Sequence, residues 1–186
     1  MQSKITKKIL RQTSLALVLI AVYLVVAIPF KVMSVIPGFT DIRPVLLFKP
    51  VYGAFFGLPG CIAFAIGNLI GDIISDSLRW SSIAGLAANF IGPFMYWFFW
   101  NKISKTQFSL RNGKNLLKQL GVTIVSSALE AVLITSSVYF SYPEVDSVLL
   151  AVTVMLNDTI FPIFLGIPLI ILMQEELNFK PKAFSL

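Results

Sequence analysis

DIRPVLLFKPVYGAFFGLPGCIAFAIGNLIGDIISD, residues 41–76, is mostly apolar, yet it carries Asp41, Arg43, Lys49, Asn68, Asp72 and Asp76. A membrane-spanning helix needs about 20 apolar residues. The stretch is long enough for two short crossings, residues 44–58 and 60–75, with Leu58-Pro59-Gly60 as the turn between them. A charge near the middle of a membrane helix costs roughly 3 kcal/mol or more. Several held in one such stretch point to a polar pocket inside a helix bundle.

Outward from this segment the chain stays apolar. Residues 12–30, 50–71 and 80–101 carry no charge. The hydrophobic fraction is 56% and the mean hydropathy +0.83, against about 45–50% apolar residues in soluble domains. The expectation is an all-α, polytopic membrane protein forming one integral membrane domain over residues 1–186. Six helices are expected at about residues 13–30, 44–58, 60–75, 82–100, 117–139 and 147–173, behind a basic segment 1–12. Thr13 or Ser14 caps the first helix and Pro29 ends it; Pro162 and Pro168 bend the last. The first apolar run has no small-residue cleavage site and is not expected to be a cleaved signal peptide.

The net charge of +6 arises from 15 cations, 11 of which fall in three places. Lys4, Lys7, Lys8 and Arg11 precede the first helix. Lys102, Lys105, Arg111, Lys114 and Lys118 fill one loop, and Lys180 and Lys182 lie at the C-terminus. On six spans these all face one compartment, as the positive-inside rule requires, so both termini are expected in the cytoplasm. The opposite loops hold Lys31, Arg43 and Arg79 against Asp41, Asp76, Glu144 and Asp146. This distribution accounts for the basic charge without nucleic acid as a partner.

On that topology Asp41 and Arg43 stand at the outer entrance to the second helix, with Lys49 below them. Asn68 and Asp72, at i and i+4, share a face of the third helix. Asn89 lies two turns into the fourth helix, and Asn157 and Asp158 three turns into the sixth. These eight are the candidate substrate-binding residues, clustered toward the outer leaflet; Glu130 alone lies deeper. For each, a structural pairing such as Asp72 with Lys49 or Arg43 stands beside the ligand contact. Gly53/Gly57 and Gly67/Gly71 are two GxxxG pairs, expected to pack the hairpin. The loop after the first helix, with Val35-Ile36-Pro37-Gly38-Phe39, is either a lid or a rigid connector.

No histidine and a single cysteine, Cys61, exclude a histidine-based triad, a Cys/His metal cluster and an intrachain disulfide. There is no GxxxxGK[ST] motif. No catalytic residue, metal or catalytic cofactor is expected.

The chain resembles the S components of energy-coupling factor (ECF) transporters, the vitamin-binding membrane subunits of bacterial uptake systems. The likeness rests on Asp41-Ile-Arg-Pro, Pro50-Val-Tyr-Gly-Ala-Phe-Phe-Gly-Leu-Pro-Gly and Ala65-Ile-Gly-Asn-Leu-Ile-Gly-Asp, together with six helices and a long first loop. It is similar to the branch assigned to cobalamin and queuosine precursors. The resemblance implies a location in the bacterial plasma membrane and an outward pocket under the first loop. It also implies a transmembrane coupling subunit and two ATPase subunits as partners, and toppling of the S component in the bilayer. The Ala-x-x-x-Ala docking pattern of the family is absent from the first helix, where Ala16 and Ala21 are five apart. Cobalamin is the favoured ligand, with Asn68, Asn89 and Asn157 toward its amides and Trp80, Tyr52 or Tyr139 against its apolar faces. A queuosine precursor, riboflavin or another vitamin is the alternative. A different class, a self-sufficient ion-coupled transporter, would use Lys49, Asp72, Glu130 and Asp158 as a relay.

Overall fold

The first apolar run folds into a helix that begins well before its apolar part. In the computed structural model, which describes residues 2–104 and 108–179 with side chains from Ile5 onward, α1 covers Gln2–Ala27. The expected start at Thr13 is therefore corrected. Lys, Gln and Arg are good helix formers, so the basic segment continues the helix and no cap at Thr13 or Ser14 is needed. Pro29 limits the α-helix, and a 3₁₀ turn, Ile28–Phe30, follows. Lys105, Lys180, Lys182 and the Lys4 side chain lie outside the described residues.

The decisive stretch folds back on itself. A 3₁₀ turn, Pro44–Leu47, runs into the short α2, Phe48–Val51, and a π-helical stretch, Tyr52–Phe56. Then α3 covers Gly57–Ile74. Gly57 has φ 60° and ψ −139°, a conformation that belongs almost wholly to glycine. The reversal is tight: a β-carbon on Gly60 would overlap the Tyr52 carbonyl oxygen. The Tyr52 and Phe64 rings pack edge to face at 5.6 Å. Twelve residues along an unbroken helix they would be about 18 Å apart. The break expected at Leu58-Pro59-Gly60 falls instead at Phe56-Gly57, and Pro59 takes the first turn of α3, where its missing N–H costs nothing.

The rest of the chain completes the bundle. α4 covers Ser81–Phe98 and continues as a π-helical stretch, Phe99–Ile103. α5, Gly113–Ser141, starts earlier than the expected residue 117 because the Asn112 side chain caps it by accepting from Lys114 N. The Asp146 carboxylate caps α6, Ser147–Phe161, by accepting from the N–H groups of Val148 and Leu149. Pro162 opens a π-helical stretch, Pro162–Gly166, and α7, Ile167–Glu175, follows with Pro168 in its first turn.

Contacts fix two ends. At one, Lys31 donates to Asp72 at 2.7 Å, Arg79 donates to the Gly38 carbonyl at 3.1 Å, and the Phe39 ring meets Tyr142 at 5.1 Å. At the other, Phe55 packs on Phe108, Phe56 on Phe179, and Arg111 pairs with Glu175. Among the described residues five helical segments are by length and hydropathy able to cross a membrane: Ile5–Phe30, Pro44–Ile74, Ser81–Ile103, Gly113–Ser141 and Ser147–Glu175. The second of these is the hairpin. Leu17, Val18, Val25, Val132 and Phe164 are exposed on the outside of the bundle. The molecule is a mostly helical, multi-pass membrane protein.

The glycine pairs do something different from what their spacing suggests. Gly53 takes the Pro93 backbone of α4, Gly57 makes the reversal, and Gly67 seats the Tyr23 ring of α1, whose nearest atom would lie 2.8 Å from a β-carbon there. The two halves of the hairpin meet through Gly60 rather than through either GxxxG pair.

Replacing Gly57 with alanine forces a β-carbon into its left-handed conformation. The G57A variant is expected to lose about 1–3 kcal/mol, read as a lower midpoint in thermal unfolding in detergent. Ala54→Gly, inside the helical part, serves as the comparison and is expected to lose about 1 kcal/mol or less.

Candidate functional site

The loop between α1 and the hairpin forms two short antiparallel strands, β1 (Ser34–Ile36) and β2 (Thr40–Asp41). Pro37-Gly38 turns them, with Gly38 at φ 77° and Phe39 N–H bonded to the Ile36 carbonyl at 2.9 Å. The loop is fastened at both margins. The Arg79 guanidinium lies 4.8 Å from the Phe39 ring centre while donating to Gly38. Asn157, from α6, donates to the Asp41 carbonyl at 2.9 Å and accepts from the Arg43 N–H at 3.4 Å. These bonds make the loop a pinned connector over the end of the bundle.

Beneath it lies a cavity of about 380 Å³. Lys31, Asp41, Arg43, Asn68, Asp72, Asp76, Arg79 and Asn89 line it, with the hydroxyls of Ser75, Ser77, Ser81 and Ser82. Three cations thus face three carboxylates. Lys31 bonds Asp72 and lies 3.9 Å from Asp41, and Arg43 lies 3.7 Å from Asp41. Arg43 also donates to the Tyr23 hydroxyl at 3.1 Å and to the Asn68 side-chain oxygen. Tyr23 donates to the same Asn68 oxygen at 3.2 Å, and the Asn68 amide donates to Asp72 at 3.4 Å. Asn89 is different. Only 1% of it is exposed. Its amide donates to the Gly85 carbonyl at 2.7 Å, but its Oδ1 has no partner among the described residues. An unsatisfied buried acceptor costs about 1–3 kcal/mol.

A second polar group lies inside the bundle. Lys49 donates to Asp158 at 2.6 Å and to Glu130, and the three side chains are 2%, 4% and 2% exposed. Ser126 donates to Glu130 at 3.0 Å, and Ser127 donates to the Asp158 backbone carbonyl at 2.7 Å. Glu130 reaches Lys49 because residue 92 is glycine: a β-carbon there would sit 2.7 Å from its carboxylate. One ammonium between two carboxylates ties the hairpin to α5 and α6.

Five of the eight candidates, Asp41, Arg43, Asn68, Asp72 and Asn89, therefore line one cavity. Asn157 pins the loop, while Lys49 and Asp158 belong to the buried triad. Glu130, expected to lie deeper than the candidates, joins two of them in that triad. Asp72 pairs with Lys31 rather than with Lys49 or Arg43. Tyr52 is buried and donates to the Leu19 carbonyl, and Trp80 and Tyr139 point outward; none of the three lines the cavity. Lys31, Asp76 and Arg79 were legible only as outer-loop charges. Their place in short loops flanking apolar runs was the available signal. Among the described residues no three His, Cys, Asp or Glu side chains come together as a metal site.

No family model matches the chain, and no curated protein or solved structure matches it at a significant level.

Removing the cation from the triad leaves two carboxylates buried without it. K49M is expected to destabilise the protein by about 3–5 kcal/mol and to lower its thermal midpoint far more than K31M, whose charge is partly solvated. Equal effects in the two variants would remove the triad from its structural role.

Proposed function

We propose that the protein is a solute-binding membrane subunit of the ECF S-component type, which captures a small polar micronutrient from outside the cell. The observation that carries this reading is the charged cavity beneath the pinned loop, where three cations and three carboxylates face one another. The charges of the two ends support the orientation. The cavity end mixes Lys31, Arg43 and Arg79 with Asp41, Asp72, Asp76, Glu144 and Asp146. The opposite end gathers Lys7, Lys8, Arg11, Lys102, Arg111, Lys114 and Lys118. In this reading the two arms of the hairpin each cross the membrane, making six crossings, both termini are cytoplasmic and the membrane is the bacterial plasma membrane. Uptake then draws its energy from a coupling subunit and two ATPases.

A volume of about 380 Å³ is near the small end of ligand pockets, roughly 300–1,000 Å³. That favours a queuosine precursor, a compact deazapurine base, over cobalamin, a corrin with a nucleotide tail. Ring N–H and amino groups of such a base would supply donors to Asp72. A second reading, an ion-coupled transporter, draws on the buried Lys49–Glu130–Asp158 group. It predicts uptake by the protein alone in liposomes under a proton or sodium gradient, where the first reading predicts none.

The purified protein is expected to bind one member of a panel of deazapurines, riboflavin and cobalamin by calorimetry. The same ligand at a hundredfold excess over Kd should stabilise it by about 2.7 kcal/mol. Asn89→Ala and Asp72→Asn are each expected to weaken that affinity by about tenfold while leaving the fold intact. Binding of no panel member, or unchanged affinity in both variants, would sink this reading.

A further inference from the structure

At the end of the bundle opposite the charged cavity, a groove of about 590 Å³ runs between α1, α3 and α4. Along α1 its floor reads Lys8, Ile9, Gln12 and Thr13, then Ala16, Leu17 and Ile20. The facing wall is Leu58, Pro59, Ile62 and Ile66 of α3, with Trp97 of α4. The polar members all sit at one end and everything beyond them is apolar. From Lys8 to Ile20 the groove follows α1 for about 18 Å, close to the ~15 Å of one leaflet's hydrocarbon.

The levels are set by the packing of α1 on α3. Both helices run toward the cavity end, and Tyr23 sits against Gly67. Leu58, at the hairpin tip, is therefore level with the residues around Thr13. Lys8 lies about 8 Å further out, below the tip, with Lys7 and Arg11 exposed beside it. Trp97, 4% exposed, closes one side of the groove.

We infer that this groove binds one anionic phospholipid of the adjoining leaflet. An acyl chain lies along Ala16, Ile20, Ile62 and Ile66, and the phosphate group is met by Lys8 and its basic neighbours. The amphipathic lining matches a lipid end to end, and the cations choose its charge. An apolar protein helix seated in the groove would cover the apolar part but leave the cations without a counter-charge. The site shares no residue with the solute cavity and stands whatever that cavity binds.

The test is native mass spectrometry of the full chain, delipidated in detergent and then offered palmitoyl-oleoyl phosphatidylglycerol or phosphatidylcholine. One phosphatidylglycerol is expected to be retained, and phosphatidylcholine to be retained at least fivefold less. Lys8→Glu is expected to lower phosphatidylglycerol retention about fivefold or more. Ile62→Trp, which fills the groove, is expected to abolish it. Val132→Trp, on the exposed face of α5, is expected to change nothing. All three are compared at equal thermal midpoint, and Lys8, being exposed, cannot act through the core. Equal retention of the two lipids, unchanged retention in either groove variant, or a co-purifying polypeptide held in place of lipid overturns the assignment.

Discussion

The reversal at Gly57 is the constraint on which the rest of the molecule depends. One residue in a glycine conformation, closed by Gly60 against the Tyr52 carbonyl, turns a long apolar segment into a helical hairpin. Were the segment a single straight helix, Arg43 and Asn68 would sit about 37 Å apart. Instead they are hydrogen bonded. The same turn brings Asp72 to Lys31, and with it the ends of α1 and α3 to one side. The cavity exists because this hairpin returns its polar residues to the level of the loop that covers them.

Two tiers of charge follow, with different physical roles. In the upper tier the pairs are partly solvated, and several partners share each group. Such groups can exchange a protein partner for a ligand at small cost. In the lower tier Lys49 is enclosed by two carboxylates, themselves held by Ser126 and the Gly92 clearance. Charges removed from water are tolerated only when fully paired. That tier therefore acts as a cross-link between the hairpin, α5 and α6, and gives the upper tier a fixed floor.

What the sequence disclosed depended on distance along the chain. Local signals were readable: the uncharged runs, the Pro-Gly punctuation of the hairpin, and Asn68 with Asp72 on one helical face. Partnerships across many residues were not. Lys49 meets Glu130 across 81 positions and Asp158 across 109, and Asn157 meets Asp41 across 116. No periodicity encodes those meetings. Helix ends were misread where propensity continued past the apolar pattern, as in the basic first turns of α1. The glycine spacing misled for a related reason: GxxxG reports small residues on one face, but not which neighbour fills the space. Lys31 and Arg79 were visible as loop cations, and only the folded loop makes them walls of a cavity.

The proposed function requires that the charged cavity open away from the cytoplasm and hold a solute. Its most direct test is labelling of a single cysteine at the cavity wall, Ser77→Cys, in intact cells with a membrane-impermeant maleimide. The native Cys61 is fully buried and gives a silent background. The account predicts labelling from outside without permeabilisation, slowed when the bound solute is present. Labelling only after the cells are opened would place the cavity on the cytoplasmic side and contradict it.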